Sequence, residues 1–270
     1  MDLFDTHCHI QSAGLVEGER ATRELWAKAG GLTGEQLVKE AQAAGVTRLL
    51  CVGCDLEDSK LAIEFVKDRD NCWATIGIHP HEAQHYAKNE EKLLAFAALA
   101  NEPKVVAIGE CGLDFYYNHS PKEDQIALLH FQLQLAQKHN LPLVFHVREA
   151  FSDFWPVFDD YKNIRGVLHS FTDTAENAQA ALERGLYLGI NGIATFTKDH
   201  AQLEVYKQLP SQKILLETDA PFLTPTPYRG TINQPKNIGV VSEFLTQLRG
   251  ESLAQFAAVT TQNARELFGI

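Results

Sequence analysis

Short apolar, β-branched runs alternate with stretches of helical periodicity along the whole chain. The runs read as strands are Leu3 to His7, Arg48 to Gly53, Trp73 to Ile78, Val105 to Gly109, Pro142 to Phe145, Gly166 to Leu168, Leu186 to Ile190 and Ile214 to Glu217. Strands regularly separated by helical segments are the pattern of βα units in a parallel sheet. Local signals set the phase of the alternation. Thr33 with Gln36 offers a capping box for a helix that Gly45 stops. Ser120-Pro121-Lys122-Glu123 supplies an N-cap serine, a proline at the first helical position and a capping glutamate ahead of Ile126 to His139. Asp173 with Glu176 opens a further helix, closed by Gly185. Eight such units predict an α/β fold, a (β/α)₈ TIM barrel in one domain spanning residues 1–270, with a doubly wound open sheet as the alternative.

A barrel of this kind carries its chemistry at the C-terminal ends of its strands. Ionisable residues fall there: Asp5, His7 and His9 at the first strand, His79 and His81 after the third, Glu110 after the fourth, His146 after the fifth, His169 after the sixth and Asp219 after the eighth. Side chains two apart on a strand share a face, so His7 and His9 form a clamp while Cys8 points away. A single histidine at a strand end has an ordinary structural explanation. Four imidazoles (His7, His9, His146, His169) with two carboxylates (Glu110, Asp219) form a mixed N/O set suited to Zn²⁺, Mn²⁺ or similar ions, and two ions would use all six.

Composition narrows the partners. The chain has 270 residues, 45% hydrophobic and 22% charged, with a net charge of −11, which argues against broad electrostatic binding to nucleic acid. A phosphate substrate would have to be met by local cations. The five cysteines (Cys8, Cys51, Cys54, Cys72, Cys111) are scattered among apolar runs, as expected of reduced thiols, and Cys51-x-x-Cys54 reads as two small core-edge residues. Without a membrane-spanning run or a secretory leader pattern, a cytoplasmic protein is expected. The segment from Gln11 to Gly31 exceeds what is needed to join a strand to its helix. It carries Arg20, Arg23, Trp26 and Lys28, as a specificity loop or as a solvated excursion.

Asp5-Thr-His-Cys-His9, Gly109-Glu-Cys-Gly-Leu-Asp114-Phe-Tyr, His146-Val-Arg148-Glu-Ala, His169-Ser-Phe and Glu217-Thr-Asp-Ala-Pro221 occur in that order. They resemble the motifs of the TatD family of metal-dependent deoxyribonucleases in the amidohydrolase superfamily. The likeness extends through Arg229-Gly-Thr-Ile-Asn233-Gln-Pro235 to Thr261-Gln-Asn263. It implies two divalent ions (Mg²⁺, Mn²⁺ or Zn²⁺), with His7, His9 and Asp219 holding one, His146 and His169 the other, and Glu110 bridging them. Two positions depart from the family pattern: Gln11 stands where Asp or Asn is usual, and Ser152, followed by Asp153, where an acidic residue is common. Neither is an inferred ligand, so what they affect is the orientation of the ligands or the fit of the substrate.

The resulting expectation is hydrolysis of DNA phosphodiesters, as a 3′-5′ exodeoxyribonuclease using water activated by two ions roughly 3.5–4 Å apart. Asp219 and Glu110 are the expected catalytic groups. Arg148 would either contact a phosphate or pair with a loop carboxylate, and His79, His81 and Arg229 are further candidate phosphate contacts. Insertion of a strand end or small nucleotide into a cationic mouth needs few surface contacts, which reconciles the activity with the acidic surface. Phe115, Tyr116, Tyr117 and Trp26 would stack a base or fill the core. No obligate protein partner is expected. The same metal centre can attack a carbonyl, so an amidohydrolase or a deacylase acting on aminoacyl-tRNA is the alternative, and a non-catalytic metal-binding protein is a third reading.

Overall fold

The computed structural model describes residues 2–15 and 21–270. Eight parallel strands follow one another in a single sheet in chain order. They are β1 (Leu3–Cys8), β2 (Val46–Val52), β3 (Cys72–Ile76), β4 (Val105–Asp114), β5 (Leu143–Arg148), β6 (Gly166–Leu168), β7 (Tyr187–Ile190) and β8 (Ile214–Leu216). The helices are α1 (Ala21–Lys28), α2 (Gly34–Ala43), α3 (Leu56–Val66), α4 (Glu90–Ala98), α5 (Lys122–His139), α6 (Phe151–Asp159), α7 (Ala175–Glu183), α8 (His200–Gln208), α9 (Ile238–Arg249) and α10 (Leu253–Phe268). This is the (β/α)₈ class expected from the alternation. Among the described residues no helix is long and apolar enough to cross a membrane.

Contacts divide the chain into two compact units, Met1–Cys51 with Ser170–Glu266 and Ile270, and Val52–His169 with Leu267–Gly269. In the first, Leu3, Phe4, Leu49, Leu188, Ile190, Leu215, Ile238 and Phe256 are buried, so β1, the start of β2, β7 and β8 pack under the closing helices. In the second, Ile76, Ile108, Leu129, Leu133, Phe145 and Phe154 form the core, and the Phe145 and Phe154 rings meet edge-on at 5.1 Å. Burial on this scale is the main favourable contribution to either unit.

Local boundaries explain themselves. Thr33 caps α2 with both bonds of the capping box, and Gly45, at φ +85°, follows its last turn as expected. Two expected caps are corrected. Ser120 does not cap α5; its hydroxyl donates to the His81 carbonyl at 2.7 Å and accepts from Gln84 N–H, which fastens the loop before α5 to the 3₁₀ turn Pro80–His85. Thr174, not Asp173, caps α7, while Asp173 accepts from Thr174 N–H and the Asn177 amide. The segment expected as a long loop holds α1. Arg20, named above in that loop, lies outside the described residues.

β4 runs five residues past its expected end at Gly109, fully buried throughout. Glycine makes this possible. Gly112 pairs with His146 of β5 at φ +146°, where a Cβ would collide with the His146 carbonyl. Only a residue without a side chain lets the two backbones approach this closely in that conformation.

Candidate metal-binding clusters

In the first unit, β1 delivers His7 and His9, both buried. Their Nε2 atoms lie 3.1 Å apart, and Asp219 Oδ1 lies 3.7 Å from the first and 3.3 Å from the second. Backbone bonds hold this arrangement beyond the regular strands: Asp219 N–H donates to the His7 carbonyl at 2.8 Å, and His9 N–H to the Ala220 carbonyl at 2.7 Å. Asp5 supports it from behind. Its carboxylate oxygens accept from Thr218 N–H at 2.9 Å, the Thr218 hydroxyl at 2.6 Å and His7 N–H at 3.3 Å. Burial raises the Asp5 pKa to about 8 against the pull of these bonds. Asp219 adopts the left-handed region, φ +58°, which costs a non-glycine residue about 1–2 kcal/mol. That turn aims its carboxylate at the imidazoles.

Two nitrogens and one oxygen at these separations fit a single divalent ion. Ligand bonds of about 2.1 Å place neighbouring donor atoms roughly 3.0–3.4 Å apart; the His7–His9 and His9–Asp219 separations fall in that range, and the His7–Asp219 separation exceeds it by about 0.3 Å. The donor set, imidazole with carboxylate, is that of catalytic rather than closed cysteine-rich sites. Trp26 is fully buried, and its indole N–H donates to the His9 carbonyl at 2.8 Å, so it supports the clamp instead of stacking on a ligand. Arg229 lies on the loop after β8, with its guanidinium 3.9 Å from the Phe196 ring centroid and one N–H on the Thr224 carbonyl.

In the second unit the centre is Glu110 on β4, buried. Its Oε1 lies 2.8 Å from His146 Nδ1, 3.5 Å from His79 Nε2 and 3.8 Å from His169 Nε2, while Oε2 accepts from the Cys54 thiol at 3.8 Å. His79, Glu110 and His146 offer ligand atoms within 4.8 Å of one another. All five cysteines are free thiols. His169 follows β6 directly, its N–H on the Phe145 carbonyl.

His79 and His146 are held in different states. His79 Nδ1 accepts from His81 N–H at 3.2 Å, which places its proton on Nε2, facing Glu110. Burial lowers its pKa to about 4 despite the Glu110 charge, so it is a neutral donor that orients the carboxylate. His146 Nε2 lies 2.9 Å from Asp114 Oδ2, and His81 Nε2 shares that oxygen at 3.0 Å. Burial works against the ionised form of Asp114, but bonds from His146, His81 and Tyr117 N–H override it and hold the carboxyl well below its usual range. An ionised Asp114 can only accept, so His146 donates from Nε2 and presents Nδ1 toward Glu110. Burial also disfavours the His146 imidazolium, yet the bonds to Asp114 and Glu110 raise its pKa.

Asp114 is the residue that inspection of strand ends missed. Its signal was the period of two: 110, 112 and 114 share a face of β4, with a glycine between two carboxylates. Its Oδ1 also accepts Tyr116 and Tyr117 N–H at 3.1 and 2.9 Å. Arg148, opposite Asp114 in register, packs its guanidinium 4.2 and 4.7 Å from the centroids of the Tyr116 and Tyr117 rings. Of the two departures from the family pattern, Gln11 is buried, and Asp153 pairs with Lys122 at 2.7 Å and accepts from the Ser152 hydroxyl.

Residues 4–269 match the family described as TatD related DNase. The chain is 35% identical over 270 residues, 99% of each protein, to the uncharacterized metal-dependent hydrolase YabD of Bacillus subtilis. It is 37% identical over 254 residues to the 3′-5′ ssDNA/RNA exonuclease TatD of Escherichia coli, covering 88% of this chain and 96% of the relative. The solved structure of YJJV, a TatD homolog from Escherichia coli, superposes with a TM-score of 0.85 at 25% identity, covering 99% of this chain and 98% of the other. The chain belongs to the TatD-related DNase family of metal-dependent hydrolases.

Proposed function

We propose that the chain is a 3′-5′ exonuclease on single-stranded nucleic acid, dependent on two divalent ions. The observation that carries the reading is the convergence of His7 and His9 Nε2 on Asp219 Oδ1 at ion-compatible distances, in a chain similar to a relative named as such an exonuclease. In this reading His7, His9 and Asp219 would hold one ion, His146 and His169 the other, and Glu110 would serve as a ligand to both.

Bound divalent ions supply positive charge to a phosphate oxygen and acidify water near neutral pH. The chain's own groups do the rest. Asp219 accepts the proton released from water at its carboxylate. Glu110, oriented by the His79 Nε2–H donor, offers its carboxylate oxygens for divalent ligation. Asp114 keeps the His146 proton on Nε2, so that Nδ1 offers its lone pair. Arg148, Arg229 and His81 are the proposed phosphate contacts. Arg148 and Arg229 rest on aromatic faces, which orients their planar donor edges at little entropic cost. Few surface cations are needed by a chain with a net charge of −11 when a strand end is the ligand.

The test is incubation of metal-stripped protein, restored with Mg²⁺, Mn²⁺ or Zn²⁺, with single-stranded DNA labelled at either end, beside Glu110→Ala and Asp219→Ala. Stepwise shortening from the 3′ end by the wild type, with a loss of at least about a hundredfold in each variant, is expected. Inert protein with every metal, or variants as fast as the wild type, refutes the reading. A parallel ester and amide panel, including an aminoacyl ester, detects the carbonyl chemistry of a deacylase.

A further inference from the structure

We propose that the stacked pair Tyr117 and His119, walled by Tyr116, forms a platform for one nucleobase of the single-stranded substrate, with the Arg148 guanidinium, packed against both tyrosines, placed for the adjoining phosphate. The inference rests on the nuclease reading and adds where a base is held.

Four observations lead to it. Tyr116 and Tyr117 are 52% and 51% exposed, unusual for adjacent aromatic residues beside a buried cluster. They are not loosely held, because Asp114 Oδ1 binds both backbone N–H groups and Phe115 N–H continues the strand pairing onto the Arg148 carbonyl. The backbone that carries the exposed rings is therefore fixed. Tyr117 and the exposed His119 stack on one another, parallel to within 4° with centroids 5.7 Å apart, so a flat ligand added to this stack lies parallel to both, while Tyr116 stands at 88° to Tyr117 and walls the stack instead of sharing its plane. His81, which shares Asp114 with His146, meets Tyr117 edge-on at 5.7 Å and His119 at 4.6 Å, linking the platform to the Glu110 cluster.

The chemistry of the occupant follows from Arg148. Its guanidinium lies against both tyrosines, is exposed, and has no ion-pair or hydrogen-bond partner among the described residues. An apolar side chain of a partner protein would use the rings and leave the cation idle. A nucleotide uses both, a π-face on the rings and a phosphate on the planar donor fork. The other aromatics named from the sequence do not compete: Trp26 is buried, and Phe115 is half-buried with Lys122 4.6 Å from its ring centroid.

Two measurements test it. Oligothymidylates carrying one 2-aminopurine at successive positions from each end are titrated onto metal-stripped protein, where stacking quenches the fluorescence. Abasic residues at the same positions are then read as KM and kcat with metal restored. The wild type should quench at one register, and an abasic residue there should raise KM between about fivefold and a hundredfold with kcat retained. Tyr116→Ala/Tyr117→Ala should lose both the quench and the sensitivity to the abasic site; Tyr116→Phe/Tyr117→Phe should keep both. Cleavage without a quenched register or an abasic effect overturns the platform and leaves the nuclease reading intact. Quenching that the alanine pair abolishes, in a protein that cuts nothing, upholds the platform and removes the nuclease reading. An abasic effect that the alanine pair retains, or a phenylalanine pair as impaired as alanine, also overturns it.

Discussion

Asp114→Asn preserves the shape of a fully buried side chain and removes only its charge. The carboxylate now accepts four bonds, from His146 Nε2, His81 Nε2 and the N–H groups of Tyr116 and Tyr117. An asparagine has one acceptor oxygen and one NH₂. The backbone amides cannot change, so they claim the oxygen and the NH₂ faces both imidazoles. His146 can answer only by giving up the Nε2 proton and keeping the one on Nδ1, which faces Glu110 Oε1 at 2.8 Å. The variant therefore folds, at a cost of about 1–3 kcal/mol from trading charge-assisted bonds for neutral ones. The nitrogen proposed to bind metal is then blocked. Loss of a carboxylate that orients a ligating histidine costs about 10- to 100-fold in metal affinity, about 1.4–2.7 kcal/mol. Calorimetric titration of chelator-stripped protein with Mn²⁺ measures this, and ¹⁵N shifts of the histidine rings report the tautomer. Mn²⁺ binding to Asp114→Asn as tight as to the wild type, with His146 protonated on Nδ1, would refute the reasoning.

Three other outcomes follow from the geometry. Gly112→Ala places a Cβ against the His146 carbonyl at an unfavourable φ, so a loss of roughly 3–5 kcal/mol is expected in urea unfolding, with Gly239→Ala, where nothing lies within 4 Å, as the tolerated control. In chelator, stability should fall as pH drops from 6.5 toward 4: His79 is neutral in both states above that window, and within it the unfolded chain takes up the proton while the folded chain, with its pKa near 4, does not. The full effect is about 3 kcal/mol, and urea midpoints for wild type and His79→Asn should show the slope flattened in the variant. Divalent metal at a hundred times its Kd should stabilise the fold by about 2.7 kcal/mol and release protons on binding, as His146, whose pKa is raised without metal, gives one up; melting with and without chelator, and titration in buffers of different ionisation enthalpy, check the two parts.

The strands were legible because buried parallel strands read as short apolar runs, and seven of the eight ended within three residues of expectation. The exception, β4, failed for a physical reason. Beyond Gly109 the run is broken by Glu110, Gly112 and Asp114, residues poor in strand propensity, and what keeps them in the sheet is close backbone contact with β5, invisible to a local reading. Caps misjudged by a residue or two, Ser120 and Asp173, misled because serine and aspartate serve tertiary and turn bonds as readily as caps. Histidine positions were legible from strand ends. Their protonation was not, since the tautomer of His79 depends on the His81 amide and that of His146 on a carboxylate from another strand.

The same departures explain why the clusters form where regular pairing runs out. Asp219 N–H on the His7 carbonyl and His9 N–H on the Ala220 carbonyl extend pairing past β8 and β1; His169 N–H on the Phe145 carbonyl does so past β6. Each bond fixes a backbone position while leaving that residue or the next free to depart from the strand conformation. Asp219 takes that freedom at φ +58°, as do Ser170 after His169 and Glu149 after Arg148, both at φ +50°. Each such turn costs about 1–2 kcal/mol, and no contribution to the apolar core offsets it, because these residues lie beyond the core. A chain selected for stability alone would place glycine or asparagine at such turns. An aspartate at 219 makes sense only if its carboxylate is needed where that turn puts it, beside two buried imidazole nitrogens 3.1 Å apart.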